Sequence, residues 1–305
     1  MSKTLLIYER AVPITRARHG GCGVKVSNDF SFASEVSSMP LLAQEFREAT
    51  RDYPIVFAGP DGNIMPMVLL GFNENENLFV DDEGKWDSNY IPAFARRYPY
   101  VFSSNDKGQT LTLCIDEKYS GYNEQAEGER LFTDDGEQTP YLKRVLDFET
   151  EFHQFHKRTQ TFCNNLYELK LLDSMQAQLK FSSGKEMLLD GFMVVNRERL
   201  KEILPDKFSE LAKVDELELI YVHLQSMHNV SDLANRLKPQ ADDGAADKDT
   251  TEPTDETVAE ATSKEKTPTT ESKSPAAKRK KRAKQKAVSK KKAVSKKKAA
   301  SKKPE

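Results

Sequence analysis

The stretch LFVDDEGKWDSNYIPAFARRYPYVF, residues 78–102, gathers four carboxylates, three Tyr, two Arg and the single Trp of the 305-residue chain. Trp86 and Tyr90 offer flat faces that stack a planar or sugar-like ligand. Arg96 and Arg97 offer planar forks that clamp an anionic group. Together they describe a small-molecule pocket. The same stretch also describes a core: Phe79, Trp86, Tyr90, Phe94, Tyr98, Tyr100 and Phe102 bring large apolar area, and Arg96 and Arg97 fix a loop by pairing with Asp81, Asp82, Glu83 or Asp87. Core with Arg–carboxylate pairs is the favoured reading. The ligand pocket at Trp86, Tyr90, Arg96 and Arg97 is its rival, and a catalytic centre stands third.

Other reactive side chains are less organised. His153 and His156 share a helical stretch with Glu149 and Glu151, but neither Glu-x-x-His copy of a di-iron helix pair occurs. His223 and His228, in YVHLQSMHNV, read as satisfied structural histidines beside Tyr221. Cys22, in HGGCG (19–23), has no evident base, and no amphipathic helix follows it to make the glycines a phosphate cradle. LFVDDEGKW (78–86) and LFTDDGEQT (131–139) repeat a Leu-Phe-β-branched-Asp-Asp pattern of strand running into turn. Asp81, Asp82, Asp134 and Asp135 lack the alternation of a calcium loop. With no G-x-S-x-G, Walker loop or G-x-G-x-x-G, no metal and no cofactor is expected, and whether the chain is an enzyme stays open.

Elements that must position these residues follow from periodicity. SSMPLLAQEFREATRDYP predicts a helix carrying Leu41, Leu42, Phe46 and Ala49, capped by Ser38 and stopped at Asp52-Tyr53-Pro54. YPIVFAG and IMPMVLLGF flank PDGN and predict a hairpin. A turn is expected at Asp82-Glu83-Gly84-Lys85, a helical turn from Pro92, and a strand in TLTLCIDE. Thr139 to Leu172 contains no Gly and only Pro140, and its apolar residues recur at three and four, which predicts the longest helix. MQAQLKFSSGKEMLLDGFMVV predicts a second hairpin turning at SSGK, and two or three short helices follow, broken at Pro205. The fold class is α+β: an antiparallel or mixed sheet with one long central helix and several shorter helices, followed by a disordered tail.

Charge divides the chain. Residues 1–237 hold 26 Lys+Arg and 37 Asp+Glu, a net of −11; residues 238–305 hold 20 and 11, a net of +9. After Leu237 there is no Phe, Tyr, Trp, Leu, Ile or Met, so burial cannot offset ordering entropy there. This predicts a globular domain at 1–237, an acidic disordered linker at 238–272 and a polybasic low-complexity tail at 273–305. Three scattered Cys, no long apolar run and no secretory leader point to a soluble cytoplasmic protein without a transmembrane segment.

ENLFVDDEGKWDSNYIPAFARRYPYVF, LCIDE, GERLFTDDGEQTPYL, LDGFMVVNRERLKEI and ELELIYVHLQSMHNV, in that order, resemble the SapC family of soluble bacterial proteins, across about residues 8–237. This is the family named for a link to surface-layer protein export, distinct from the peptide-uptake permease of the same name. The resemblance implies an accessory or binding role in surface-layer or nutrient-uptake functions, and supplies no catalytic mechanism.

The tail lies outside the resemblance. AVSKKK stands at 287–292 and again at 293–298, after a first basic cluster. Lys278, Arg279, Lys280, Lys281, Arg282, Lys290, Lys291, Lys292, Lys296, Lys297 and Lys298 are the expected polyanion contacts, since each releases a condensed counterion. Without aromatics to stack on bases, binding would be blind to sequence. Nucleic acid is the first expected partner, the acidic body the second, and an anionic membrane surface the third, because no apolar anchor accompanies the lysines. A nucleic-acid-associated protein acting through its tail is therefore an alternative to the accessory role, as is an enzyme with its pocket around Trp86.

Overall fold

The computed structural model describes residues 6–104, 110–180 and 186–237, all within one compact unit. Three antiparallel sheets organise these residues. The largest has the order β10-β11-β4-β5-β3, with β3 Ser38–Pro40, β4 Ile55–Ala58, β5 Met65–Leu69, β10 Leu172–Lys180 and β11 Glu186–Val195. A second joins β1 Ala11–Pro13, β7 Leu111–Asp116 and β6 Tyr100–Ser104. The smallest places β2 Gly23–Val24 between β8 Tyr122–Asn123 and β9 Glu129–Arg130. The α+β class read from the sequence is the class observed.

The spine is α4, Pro140–Glu168. Thr139 caps it, accepting from Leu142 N–H, and Pro140 occupies the first turn, where its missing N–H costs nothing. Its buried residues, Leu142, Glu149, Phe152, Thr159, Phe162, Cys163 and Leu166, make one stripe. That stripe touches three apolar clusters in turn. Leu142 joins Cys22, Val24, Ile115, Leu131 and Phe132; Phe152 joins Leu42 and Ala93; Phe162 and Leu166 join the main core with Phe46, Tyr53, Phe57 and Phe79. Each fully buried Phe contributes roughly 2 kcal/mol. Cys22, Cys114 and Cys163 are free and buried, and burial pushes the Cys163 thiol up to about 12.

Two hairpins match expectation: β4 pairs with β5 from Ile55↔Val68 to Ala58↔Met65, and β10 pairs with β11. The SSGK turn lies outside the described residues. The expected helix after Ser38 is displaced. Ser38 sits in β3 opposite Leu69, and the helical turns begin only after Leu42, as a 3-10 turn Ala43–Glu45 followed by α2 Phe46–Ala49. Glu45 supplies the cap itself, its carboxylate accepting from Leu42 N–H at 2.8 Å. Pairing with β5 outweighed helical periodicity over residues 38–40. Pro205 does not merely break a helix. It opens α6 (Pro205–Lys213), between α5 (Arg197–Glu202) and α7 (Glu216–Ser226), with α8 (Asn229–Asn235) last.

The two Asp-rich turns share one backbone geometry, offset by one residue from their letter match. Asp81 N–H donates to Lys85 O and Gly84 N–H to Asp81 O; Thr133 N–H donates to Glu137 O and Gly136 N–H to Thr133 O. Bridges Val80↔Trp86 and Phe132↔Gln138 close them. Gly84 and Gly136 hold φ of +77° and +80°, where a side chain is strained. Asp81 Oδ1 accepts from the amides of Glu83 and Lys85, and Thr133 Oγ1 takes the equivalent place by accepting from Glu137 N–H. Asp81 is thus occupied by its own turn.

The motif YVHLQSMHNV becomes a polar clamp. His223, Ser226 and Asn229, three apart, are all buried. Ser226 Oγ accepts from Ile55 N–H at 3.0 Å, and His223 Nδ1 donates to Ile55 O at 2.8 Å. Asn229 Nδ2 donates to the carbonyls of Thr50 and Tyr53, each at 2.9 Å. On its other edge, His223 Nε2 accepts from Val195 N–H at 3.0 Å. β11 and β4 pair only at Met193↔Phe57, and the imidazole bridges the gap where they diverge. A carbonyl can only accept and an amide N–H can only donate, so the ring must be neutral with its proton on Nδ1. Burial holds its pKa down at about 4.

Because the folded pKa lies below the ordinary 6.5, this stability is complete above pH 6.5 and is lost as pH falls toward 4. Between pH 7 and pH 5 the loss from His223 is about 2 kcal/mol. His223→Gln keeps one donor and one acceptor but cannot titrate. In urea unfolding the variant should lose about 2 kcal/mol less than the parent over that interval; parallel losses would refute the clamp's titration.

Candidate functional site

The Trp86–Arg97 segment is held by three residues that its own sequence does not reveal: Tyr53, Glu45 and Glu149. Trp86 is 5% exposed; its Nε1–H donates to Tyr53 Oη at 2.8 Å, and Phe30 meets its ring edge-on. Tyr53 in turn donates to Tyr90 O, with Ser88 Oγ 2.5 Å away. Burial drives the Tyr53 phenol well above its ordinary pKa. The half-buried Tyr90 donates its hydroxyl to Glu45 Oε1 at 2.7 Å, and Ala93 N–H donates to the same oxygen at 2.7 Å. Burial raises the Glu45 pKa, opposed by the hydrogen bonds from Ala93, Tyr90 and Leu42.

Arg96 is exposed at the end of the short helix α3, Ala93–Arg96. Its Nε donates to Ile91 O and one terminal nitrogen to Tyr90 Oη. Arg97 points inward. Its fork lies on Glu149 at 3.1 and 2.7 Å, and its guanidinium sits 4.3 Å from the Phe152 ring centroid. Glu149 is fully buried, and burial lifts its pKa to about 6 against the pull of Arg97. Trp86 and Arg97 are therefore interior, Tyr90 lies at the margin and Arg96 outside.

An open recess of about 330 Å³ lies elsewhere, lined by Arg10, Arg18, Glu117, Lys118, Tyr122 and Glu124. The β1–β7 pairing, Ala11↔Asp116, brings Arg10 beside Glu117. Buried Asp116 fixes the junction by accepting from the amides of Glu9, Arg10 and Lys118. The short helix α1, Arg16–His19, capped by Thr15, delivers Arg18, whose fork binds Glu117 at 2.5 and 2.7 Å. This pair pulls Glu117 below the usual carboxylate range. Beneath the wall His19 is fully buried. Its Nδ1 accepts from Thr15 N–H, and its Nε2 has no hydrogen-bond partner, standing 3.5 Å from Glu117 Oε1. Burial lowers its pKa. Cys22 Sγ meets Tyr122 Oη at 3.1 Å alongside.

Sequence reasoning singled out Cys22 but not this recess, because its wall comes from segments a hundred residues apart. The signal available was only the density of charge in ERAVPITRARHG and DEKYSGYNE. Among the described residues no group of three His, Cys, Asp or Glu is placed to hold a metal ion, and no helix is long and apolar enough to cross a membrane.

This α+β arrangement belongs to a family defined by sequence. The SapC family model matches residues 14–233, and the chain is a member of the SapC family. No curated protein and no solved structure matches it.

The buried Arg97–Glu149 pair yields a direct test. Arg97→Ala leaves Glu149 uncompensated in the interior and should cost about 3–5 kcal/mol in urea unfolding. The double variant Arg97→Met, Glu149→Leu should recover most of that loss. Equal stability of the parent and Arg97→Ala would contradict the pairing.

Proposed function

We propose that this SapC-family chain is an accessory or binding protein of surface-layer or nutrient-uptake biology, with residues 273–305 serving as a polyanion-holding arm. The observation that carries the binding reading is the internal commitment of the residues best suited to chemistry. Trp86, Tyr90 and Arg97 are tied to Tyr53, Glu45 and Glu149, and Arg96 to Tyr90. Those bonds support a part in shaping the fold. The arm's role rests on charge: residues 273–305 carry sixteen Lys+Arg against Glu305, beside a body of net −11 that repels polyanions.

Retention on heparin as a function of salt tests the arm. With about ten contacts engaged, log Kobs should fall with log salt at a slope near −9. Changing all sixteen Lys and Arg of residues 273–305 to Gln in the full chain should flatten the slope by about 9. An unchanged slope would assign polyanion binding to the body and overturn the arm's role.

A further inference from the structure

We propose that the recess between β1, α1 and the β7–β8 connection is a binding site for a small anion bearing carboxylate or phosphate groups. The inference rests on the binding reading above and gives it a site. Three cations and two carboxylates line the recess. One cation, Arg18, holds Glu117 through its Nε and one terminal nitrogen. Arg10 meets Glu117 more loosely, Nε to Oε2 at 3.5 Å, and its side chain is 57% exposed, which leaves donors to solvent. Lys118 is exposed, its backbone held by Asp116, and its ammonium makes no ion pair among the described residues. Two cations with unused donors thus share one recess, presented from backbone that Asp116 fixes on both sides. That is the donor set a carboxylate or phosphate requires.

His19 supplies the second observation. Since Nδ1 accepts from Thr15 N–H, the ring hydrogen sits on Nε2, buried and unpartnered, facing Glu117. An unmatched buried donor is costly. An anion that draws Arg10 away from Glu117 Oε2 lets Glu117 settle onto His19 while keeping the Arg18 fork. The displaced carboxylate contact is then replaced within the wall. Glu124, exposed on the same wall, opposes the anion and limits its charge. Tyr122, its hydroxyl engaged with Cys22, closes the wall beside them.

The test uses the full chain, so that the same lysine-rich arm is present in every variant. Phosphate, citrate and uncharged glycerol are titrated by calorimetry into the parent, Arg10→Ala/Lys118→Ala and Glu124→Gln, with the histidine ring resonances followed by NMR. Phosphate or citrate should bind the parent and glycerol should not; the better of the two identifies the ligand's group. The double variant should bind about tenfold more weakly, and Glu124→Gln about threefold more tightly. The His19 Nε2–H resonance should move downfield on binding in the parent and in Glu124→Gln, and not in the double variant. Should the double variant fold poorly, Lys118→Ala alone, whose side chain has no ion pair to lose among the described residues, carries the same expected direction. Affinity unchanged by these substitutions, or no binding of either anion, overturns the site. Heparin retention measured in parallel reports on the arm, so the two proposals fail separately.

Discussion

Buried backbone must have its polar groups satisfied, and Thr50, Tyr53 and Ile55 meet that demand through side chains of α7 and α8. β5 pairs with one edge of β4; on the other edge β11 touches it only at Met193↔Phe57. His223, Ser226 and Asn229 complete what the strand cannot, bonding the amide and carbonyl of Ile55 and the carbonyls of Thr50 and Tyr53. An unpaired backbone group there would cost several times the net worth of an ordinary hydrogen bond. Apolar packing of α7 brings Ile220 and Leu233 of α8 into the core, but it sets no register. The polar stripe sets it, because each side chain meets its backbone partners at only one height.

Much of the remaining architecture is suspended from that segment. Tyr53 follows the clamp directly and holds Trp86 and the Tyr90 carbonyl. Glu45, on the turn before α2, holds the Tyr90 hydroxyl and the first amide of α3. Arg97, immediately after α3, reaches Glu149 on α4. The aromatic-rich segment is thus laid across the core between a tyrosine, a glutamate and a buried ion pair. The pair is weak evidence for stability, since desolvation offsets much of its attraction, but it specifies where the segment crosses the helix. The recess of Arg10, Arg18 and Lys118 is built differently, on the β1–β7 edge, and keeps cationic donors open to solvent.

Local physics made part of this legible from sequence. The β4–β5 hairpin and α4 follow from turn residues and from a 3.6-residue period uninterrupted by Gly or Pro. The aromatic core role of Trp86 and its neighbours follows from size. Three features were hidden. Ser38 reads as a cap, yet strand pairing with Leu69 takes it. The Asp-rich turns align by letter one residue away from their hydrogen-bond alignment, because Thr133 replaces Asp81 as the turn's acceptor. Partners far apart in the chain, such as Arg97 with Glu149 or Arg18 with Glu117, have no local signature. The spacing of His223, Ser226 and Asn229 was visible, but its target, the backbone of β4, was not.

The tautomer of His223 tests the clamp most directly. Two-bond nitrogen–proton correlations on the intact chain at neutral pH distinguish a proton on Nδ1 from one on Nε2, and following them toward acid gives the ring's pKa. The clamp requires a neutral ring protonated on Nδ1, with Nε2 bare and accepting from Val195, and no titration until well below pH 6.5. A ring protonated on Nε2, or one that titrates near the ordinary histidine value, would contradict the account.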